Sequence, residues 1–362
     1  KVTDAFMRCV LKDKKWHLKD HQGVIKETVK ARYLWELIME LPFETGCPFL
    51  VFEDTCRRFL PEEQKALGLD FNNVNICTEI TLANNEERTA VCCLSSLNMA
   101  TYNEWKGNKQ IVKDMIEFLD NVLEYFIQNA IWSCTKDYDW AKLKDTLRSS
   151  IEIFKRGYVT DVMLDHICKN LVEVNIMGLR KAVFSAKSER AVGLGTMGWD
   201  SYFKVCDLPY ESRAAVEITY EATKWIKECA VEATLDLGQS RGAAPDMASS
   251  GKRNSHLLAD ARTATNSLIC GGATPSREPR FQNIYPQQTT SATFQMIEPY
   301  LLKVLESYGM NNAAVTKSIV DNDGSVQHLD FLSDHEKKVL RTAFEVDQLW
   351  IVEHVSVAQK FV

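Results

Sequence analysis

No stretch of this 362-residue sequence approaches the ~18 consecutive apolar residues of a membrane span. Residues 1–7 offer no apolar core of a signal peptide. The eleven cysteines are odd in number and irregularly spaced, and none forms a Cys-x-x-Cys pair. Together these absences exclude a secreted disulfide scaffold. They point to a reducing cytoplasm, with most cysteines buried as small apolar residues. A basic excess is missing too: 43 Lys and Arg stand against 49 Asp and Glu, for a net charge of -6. Such a chain is a poor candidate for wrapping nucleic acid or coating anionic lipid. A small phosphorylated ligand needs only local donors and stays open. There is no internal repeat, low-complexity tract or Pro/Gly/Ser-rich linker. The first residue is not Met, and residues 359–362 close no recognisable element. Both ends read as cuts in a longer chain, or as the edges of one piece of a split one.

What is present suffices for one large domain or two ordinary ones, with 45% hydrophobic and 25% charged residues. Helical and strand-like stretches alternate, which favours an α/β architecture. Residues 24–41 show helical spacing and are expected to end at Pro42. Residues 48–52, after a turn at Gly46, and residues 90–94 read as short strands. Residues 111–130 form a clear amphipathic pattern: Ile111, Met115, Ile116, Leu119, Val122, Leu123, Phe126 and Ile127. Residues 211–237 predict a second long helix stopped by Gly238, and 294–305 and 336–355 two more. These stripes are read as packing.

The segment that carries chemistry is Asn75-Ile76-Cys77-Thr78-Glu79. In an extended backbone Asn75, Cys77 and Glu79 share one face. That face presents an amide, a thiol and a carboxylate together. Sulfur can exchange a hydrogen atom with carbon, the carboxylate can take a proton from a hydroxyl, and the amide can hold hydroxyls in place. The bland alternative is a half-buried strand with an incidental cysteine. Such a match arises by chance on the order of once in a hundred chains of this length.

Fifteen residues on, Cys92 lies within Ala90-Val91-Cys92-Cys93-Leu94-Ser95-Ser96-Leu97-Asn98. Asn-Ile-Cys-Thr-Glu-Ile, a short turn, and a strand with Cys-x-Leu-Ser-x-x-Asn together resemble the finger loop and following strand of class I ribonucleotide reductase large subunits. Further likenesses come in order along the chain. Asp4-Ala5-Phe6-Met7 resembles the family's Asp-Leu-Phe-Met, and Thr45-Gly46-Cys47-Pro48-Phe49 its Thr-Gly-x-Pro-Tyr. Residues 190–198 resemble its Arg-x-x-Gly-Ile-Gly-x-x-Gly turn, with Gly193 and Gly195 read as a tight turn inside the barrel. Thr263-Ala264-Thr265-Asn266-Ser267 resembles its Thr-Ala-Ser-Thr phosphate loop. Glu278-Pro279 and Asn283-Ile284-Tyr285 resemble a Glu-Pro and an Asn-Ile-Tyr that the family carries after that loop. A helix opening at Thr265 and running to Cys270 would leave backbone N–H groups for a phosphate; the plain alternative is an ordinary Thr N-cap. Arg262 stands where the family often has Pro, and Cys93 where it usually has Thr or another small residue. An extra helical segment is expected at 132–173, with surface decoration as the default reading.

The resemblance implies the C-terminal part of a catalytic barrel domain over residues 1–362. Its fold would be part of a ten-stranded α/β barrel with a central finger loop. Cys77 would be the thiyl-radical cysteine, flanked by Asn75 and Glu79, and Cys92 one of two redox thiols. Residues Thr263, Ala264, Thr265, Asn266 and Ser267, with Asn75, Cys77 and Glu79, would bind a ribonucleoside diphosphate. No cofactor or metal is expected on this chain. A metal-containing small subunit would supply the radical, and thioredoxin or glutaredoxin the reducing equivalents. The second redox thiol and the ATP/dNTP effector sites would lie on an N-terminal half. A radical-relaying tyrosine pair and a tail with two thiols would lie beyond residue 362. A homodimer of large subunits is the expected assembly.

Three rivals remain. Gly193-x-Gly195-x-x-Gly198 invites a dinucleotide site, but no acidic residue ends a second parallel strand about twenty residues on; that region reads as the helix containing Trp225. His166 and Cys168 could begin a metal site, yet at that spacing a helix turns them apart, and the seven histidines are dispersed. The chain could also be a catalytically incompetent fragment or a split-chain piece that needs its N-terminal half.

Overall fold

The computed structural model describes residues 1–135, 144–145, 148, 161–288 and 292–362. Of the extra segment expected at 132–173, residues 136–143, 146–147 and 149–160 lie outside them. The chain divides into two compact units, Lys1–Ala90 and Val91–Val362.

The first unit opens with α1 (Asp4–Leu11), capped by Thr3, whose side chain accepts from the Phe6 N–H at 3.2 Å. A hairpin follows, β1 (Lys15–Lys19) antiparallel to β2 (Ile25–Lys30). Then come α2 (Ala31–Thr45), α3 (Glu53–Phe59) and α4 (Glu62–Ala66). Phe6, Val10 and Ala31 form one small core with Trp16 and Trp35; Val51, Leu60 and Phe71 form another. The helix expected over 24–41 is therefore wrong at its start. Lys-Glu-Thr-Val pairs across the hairpin, where β-branched side chains pack well. It is wrong at its end too: Pro42 lies inside α2, which closes on left-handed Gly46. A proline's fixed φ suits a helix, and the Thr45 hydroxyl donates to the Leu41 carbonyl at 2.8 Å. The expected strand at 48–52 reduces to a single parallel bridge, Val2 to Phe52.

The second unit is built on parallel strands. β3 (Cys93–Asn98) pairs in register with β4 (Val192–Met197), from Cys93 opposite Val192 to Asn98 opposite Met197. A third extended segment lies on the far side of β4, through the parallel Leu194–Leu258 bridge and the bonds Val192 N–H to His256 O and Leu194 N–H to Leu257 O. Parallel neighbours need long crossovers. Between β3 and β4 run α5 (Tyr102–Trp105), α6 (Lys109–Thr135) and α7 (Asp161–Glu189). After β4 come α8 (Trp199–Val205) and the long α9 (Arg213–Arg241). The main core joins Leu97, Val192 and Leu194 of the strands to Val112, Ile116 and Leu119 of α6 and Ile226, Ala230 and Ala233 of α9. The expected stripe of α6 is borne out at Ile116, Leu119, Leu123 and Ile127, all buried, but Val122 faces outward.

Three expectations fail here. Gly193 and Gly195 lie inside a fully buried strand, not a turn. A Cβ on Gly195 would stand 2.4 Å from the Ala259 carbonyl, so this glycine lets the third extended segment approach β4 closely, while a Cβ on Gly193 would stand 2.5 Å from the Leu94 side chain. Gly238 does not stop α9, which runs on to Arg241; a Cβ there would stand 1.9 Å from the Gly251 carbonyl. The strand expected at 90–94 begins at Cys93.

Beyond α9 come α10 (Ala264–Ile269), the hairpin β5 (Ile284–Gln288) and β6 (Thr293–Ile297), α11 (Pro299–Ser307) and α12 (Ala313–Asp321). The chain ends with α13 (Asp334–Val339) and α14 (Gln348–Ala358). The helix expected over 294–305 is thus β6 followed by α11, with Glu298 capping at Pro299. The one expected over 336–355 is two helices, because Asp347 caps a new start. Ile284, Leu301, Leu305, Ile319, Val326 and Leu340 make a separate core.

A buried ionic network fixes the end of α7 to α6. The Asp120 carboxylate, 1% exposed, accepts from Arg190 Nε at 2.8 Å, Asn254 Nδ2 at 3.1 Å and Arg253 Nε at 3.3 Å. Burial alone would raise the Asp120 carboxyl; the Arg190 and Arg253 guanidiniums reverse this and hold it below its ordinary range.

Candidate active site

In the first unit, Asn75–Glu79 is not an extended strand. The Thr78 N–H bonds back to the Asn75 carbonyl at 3.0 Å, and Thr78 has φ 65°. That left-handed conformation is rare for a β-branched residue. The Thr78 hydroxyl donates to the Cys77 carbonyl at 2.7 Å, and the Asn75 side-chain oxygen accepts from the Ile80 N–H at 3.0 Å. Asparagine favours such turns because its short amide mimics a backbone acceptor. The alternation that would set Asn75, Cys77 and Glu79 on one strand face therefore does not hold; a tight turn holds all three instead. Ile76 is 88% exposed at its tip, while Cys77 is half-buried.

The base of this loop is closed by Asn84. Its side-chain oxygen accepts from the N–H groups of Asn72 and Asn73 at 3.2 and 3.0 Å, and its amide donates to the carbonyls of Asn73 and Leu82 at 2.7 and 2.8 Å. Phe71, fully buried, anchors the same base. Glu79 Oε2 is buried with no hydrogen-bond partner. A buried carboxylate oxygen in that position is costly unless something completes it. It suits a proton acceptor awaiting a hydroxyl.

In the second unit, Cys92 precedes β3, and its Sγ lies 3.7 Å from the Cys93 carbonyl. A Cβ on Gly193 would stand 3.4 Å from that sulfur, so the thiol rests over a bare stretch of β4. Cys93 packs among Leu123, Ile127 and Val183, and burial pushes its thiol up despite nearby Arg190.

Residues 263–267 lie in a segment whose flanking residues Asp260, Cys270 and Thr274 meet the C-terminal ends of the parallel strands at Thr196, Asn98 and Gly198. Thr263 precedes α10 but does not cap it: its side-chain oxygen accepts from the Ser276 N–H at 2.9 Å. Thr263 and Ser267 are buried; Ala264, Thr265 and Asn266 are exposed. The helix opens one residue earlier than expected. Its first N–H groups precede any acceptor within the helix.

Sequence reasoning missed the floor beneath this loop. Asp260 accepts from the Thr196 N–H and hydroxyl, both at 2.9 Å, and from Arg277 Nε at 2.5 Å. The Arg277 guanidinium lies 4.9 Å from the Trp199 ring centroid. Arg280 Nη2 donates to the Gly272 carbonyl at 2.5 Å, and its N–H to Asp200 at 3.1 Å. Asp260, three residues before Thr263, had no signal beyond its proximity to the motif.

Among the described residues, no three His, Cys, Asp or Glu side chains could hold a metal ion. His166 is exposed, and the Cys168 side chain lies outside the described residues. No described helix is long and apolar enough to cross a membrane.

The family of ribonucleotide reductase barrel domains matches residues 1–139, 143–250 and 243–362. The chain belongs to that family. A Frog virus 3 (isolate Goorha) relative, provisionally named ribonucleoside-diphosphate reductase large subunit, is 39% identical over 99% of this chain and 56% of its own length. The ribonucleoside-diphosphate reductase large subunit of Invertebrate iridescent virus 3 is 38% identical over 96% of this chain and 49% of its own. The class Id ribonucleotide reductase alpha subunit of Actinobacillus ureae superposes with a TM-score of 0.78 at 27% identity, covering all of this chain and 56% of that one. The fold is therefore an α/β barrel domain, and the chain spans about half the length of these relatives. The family match runs through Asn75–Glu79, Cys92 and residues 263–267 alike.

Proposed function

We propose that the protein carrying this chain reduces ribonucleoside diphosphates to 2′-deoxyribonucleoside diphosphates by thiyl-radical chemistry. The observation that supports this most is the family match across the whole turn that holds Asn75, Cys77 and Glu79. The barrel would have ten strands, with this turn as its central finger loop. A radical delivered by a metal-containing small subunit oxidises Cys77 to a thiyl, which abstracts the 3′ hydrogen atom. Glu79, whose buried Oε2 has no other partner, takes the 3′-hydroxyl proton while one of the two redox thiols protonates the 2′-hydroxyl, which leaves as water; the other thiol supplies the hydrogen at the 2′ carbon, and Glu79 returns its proton to the 3′ oxygen. Asn75 orients the hydroxyls. Cys92 and a second thiol on the N-terminal half give up two electrons and join as a disulfide. Cys77 returns its hydrogen atom to the 3′ carbon. Thioredoxin or glutaredoxin then restores the dithiol, by way of a C-terminal tail.

The diphosphate rests on the N–H groups and hydroxyls of residues 263–267. Effector nucleotides bind the N-terminal half, the large subunits pair as a homodimer, and the enzyme works in the cytoplasm. The test is conversion of labelled CDP to dCDP by the large subunit reassembled with its small subunit. Turnover that vanishes in Cys77→Ser, with the fold kept, is the expected result. Turnover that survives would remove the radical from Cys77.

A further inference from the structure

The paired strands end together, at Asn98 of β3 and Met197 of β4. At those ends, Asn98 itself and Gly198, the residue after Met197, hold the segment that comes after the phosphate loop. The Gly198 N–H donates to the Thr274 carbonyl at 2.7 Å, and Asn98 Nδ2 donates to the Cys270 carbonyl at 3.3 Å. Cys270 is the C-cap of α10, so its carbonyl has no partner within the helix. The other side-chain atom of Asn98, Oδ1, accepts from the Ala100 N–H at 3.0 Å. Its main-chain carbonyl accepts from Trp105 Nε1 and the Thr101 hydroxyl, both at 3.2 Å. Gly198, at φ 82°, leaves room for this: a Cβ there would stand 2.9 Å from Asn98 Oδ1. The Thr263–Ser276 bond closes the segment on itself and does not touch β3. The bond from Asn98 to Cys270 thus joins the end of β3 directly to the segment 263–276.

We infer that Asn98 is a positioning residue for the diphosphate: it ties the strand that begins beside Cys92 to the far end of the helix whose start receives the phosphates. This rests on the reading of residues 263–267 as the diphosphate seat. The need is physical. A redox thiol and a substrate anchored on a separate loop must keep their spacing to within a fraction of an ångström. The Gly198 N–H and Asp260 tie the segment to β4; the Asn98 amide, fixed at the strand end by Ala100, Thr101 and Trp105, ties it to β3.

Asn98→Asp separates positioning from local folding. The carboxylate still accepts from the Ala100 N–H, but it cannot donate and faces the Cys270 carbonyl with like polarity. In the reassembled enzyme we expect KM for CDP to rise about tenfold with kcat within about threefold. Direct binding should weaken about tenfold for CDP and not for cytidine. Asn98→Ser also keeps an acceptor near Ala100 but falls short of Cys270; it gives the same readout should the aspartate variant be unstable. If both variants match the native enzyme while Asn98→Ala does not, Asn98 only caps the turn after β3 and the inference falls. A loss confined to kcat also overturns it. If the native enzyme itself binds cytidine as well as CDP, the diphosphate seat is wrongly placed, and the inference fails with that reading.

Discussion

Cys92 and Cys93 are neighbours in sequence with different surroundings. Successive side chains at a strand point to opposite faces. Cys93 is drawn into the apolar contacts of α6 and α7, and burial disfavours its thiolate. Cys92 lies over Gly193, where β4 has no side chain to cover it. Cys92→Ser is expected to abolish multiple turnover, whereas Cys93→Ser retains it and costs about 1–2 kcal/mol of stability for a buried hydroxyl. Turnover assays with thioredoxin, alongside urea unfolding, check both. Multiple turnover by Cys92→Ser would reassign the redox thiol. Glu79 belongs to the same scale: its Oε2 is buried with no hydrogen-bond partner, which fits the proton-accepting role proposed for it.

At the scale of elements, glycine decides where backbones can meet. Gly238 lies within α9, where alanine would gain about 1 kcal/mol of helix propensity. Its Cβ would, however, stand 1.9 Å from the Gly251 carbonyl, and backbone cannot swing aside as a side chain can. Gly238→Ala is therefore expected to lose about 1–3 kcal/mol net. Gly178, in α7, has nothing within 4 Å of an added Cβ. Gly178→Ala should instead gain about 0.5–1 kcal/mol. Urea midpoints of the two variants moving in the same direction would refute this role for Gly238 in α9. The third extended segment depends on the same economy of side chains, since Gly195 admits the Ala259 carbonyl.

Across the whole molecule, acid weakens the fold through two histidines. His354 is buried between Thr219, whose hydroxyl is 2.8 Å from Nδ1, and the Tyr210 carbonyl, 3.1 Å from Nε2. Burial depresses its pKa. His256, at the start of the third extended segment, is pushed down to about 4 by burial and by Lys227. A histidine depressed in the folded state binds its proton more readily when unfolded. Its stabilisation is complete above the unfolded value of about 6.5 and declines as pH falls toward the folded value. His256 contributes a slope of at most about 1.4 kcal/mol per pH unit between about pH 6.5 and 4; His354 adds a slope of the same sign below about pH 6.5. Asp120 and Glu124, held low, act below that window. Urea midpoints should drop from pH 7 to pH 5, and a flat or rising profile would contradict the assignment.

The sequence by itself determined the family. The stretches holding Asn75, Cys77 and Glu79, Cys92 and residues 263–267 carried the resemblance, and the family match runs through all of them; the roles proposed for them follow from that membership. It also determined the long amphipathic helices, because period 3.6 survives in the stripe Ile116, Leu119, Leu123, Ile127. Only the tertiary structure decided that the Asn75–Glu79 segment is a turn, since its Asn84 and Asn75 hydrogen bonds reach residues outside any local period. Only the fold revealed Gly193 and Gly195 as a strand, because the close approach of the Ala259 backbone to Gly195 and of the Leu94 side chain to Gly193 leaves no periodic trace. Asn98 reaches Cys270 across 172 residues of sequence and Arg277 reaches Asp260 across 17, and no local pattern encodes such meetings.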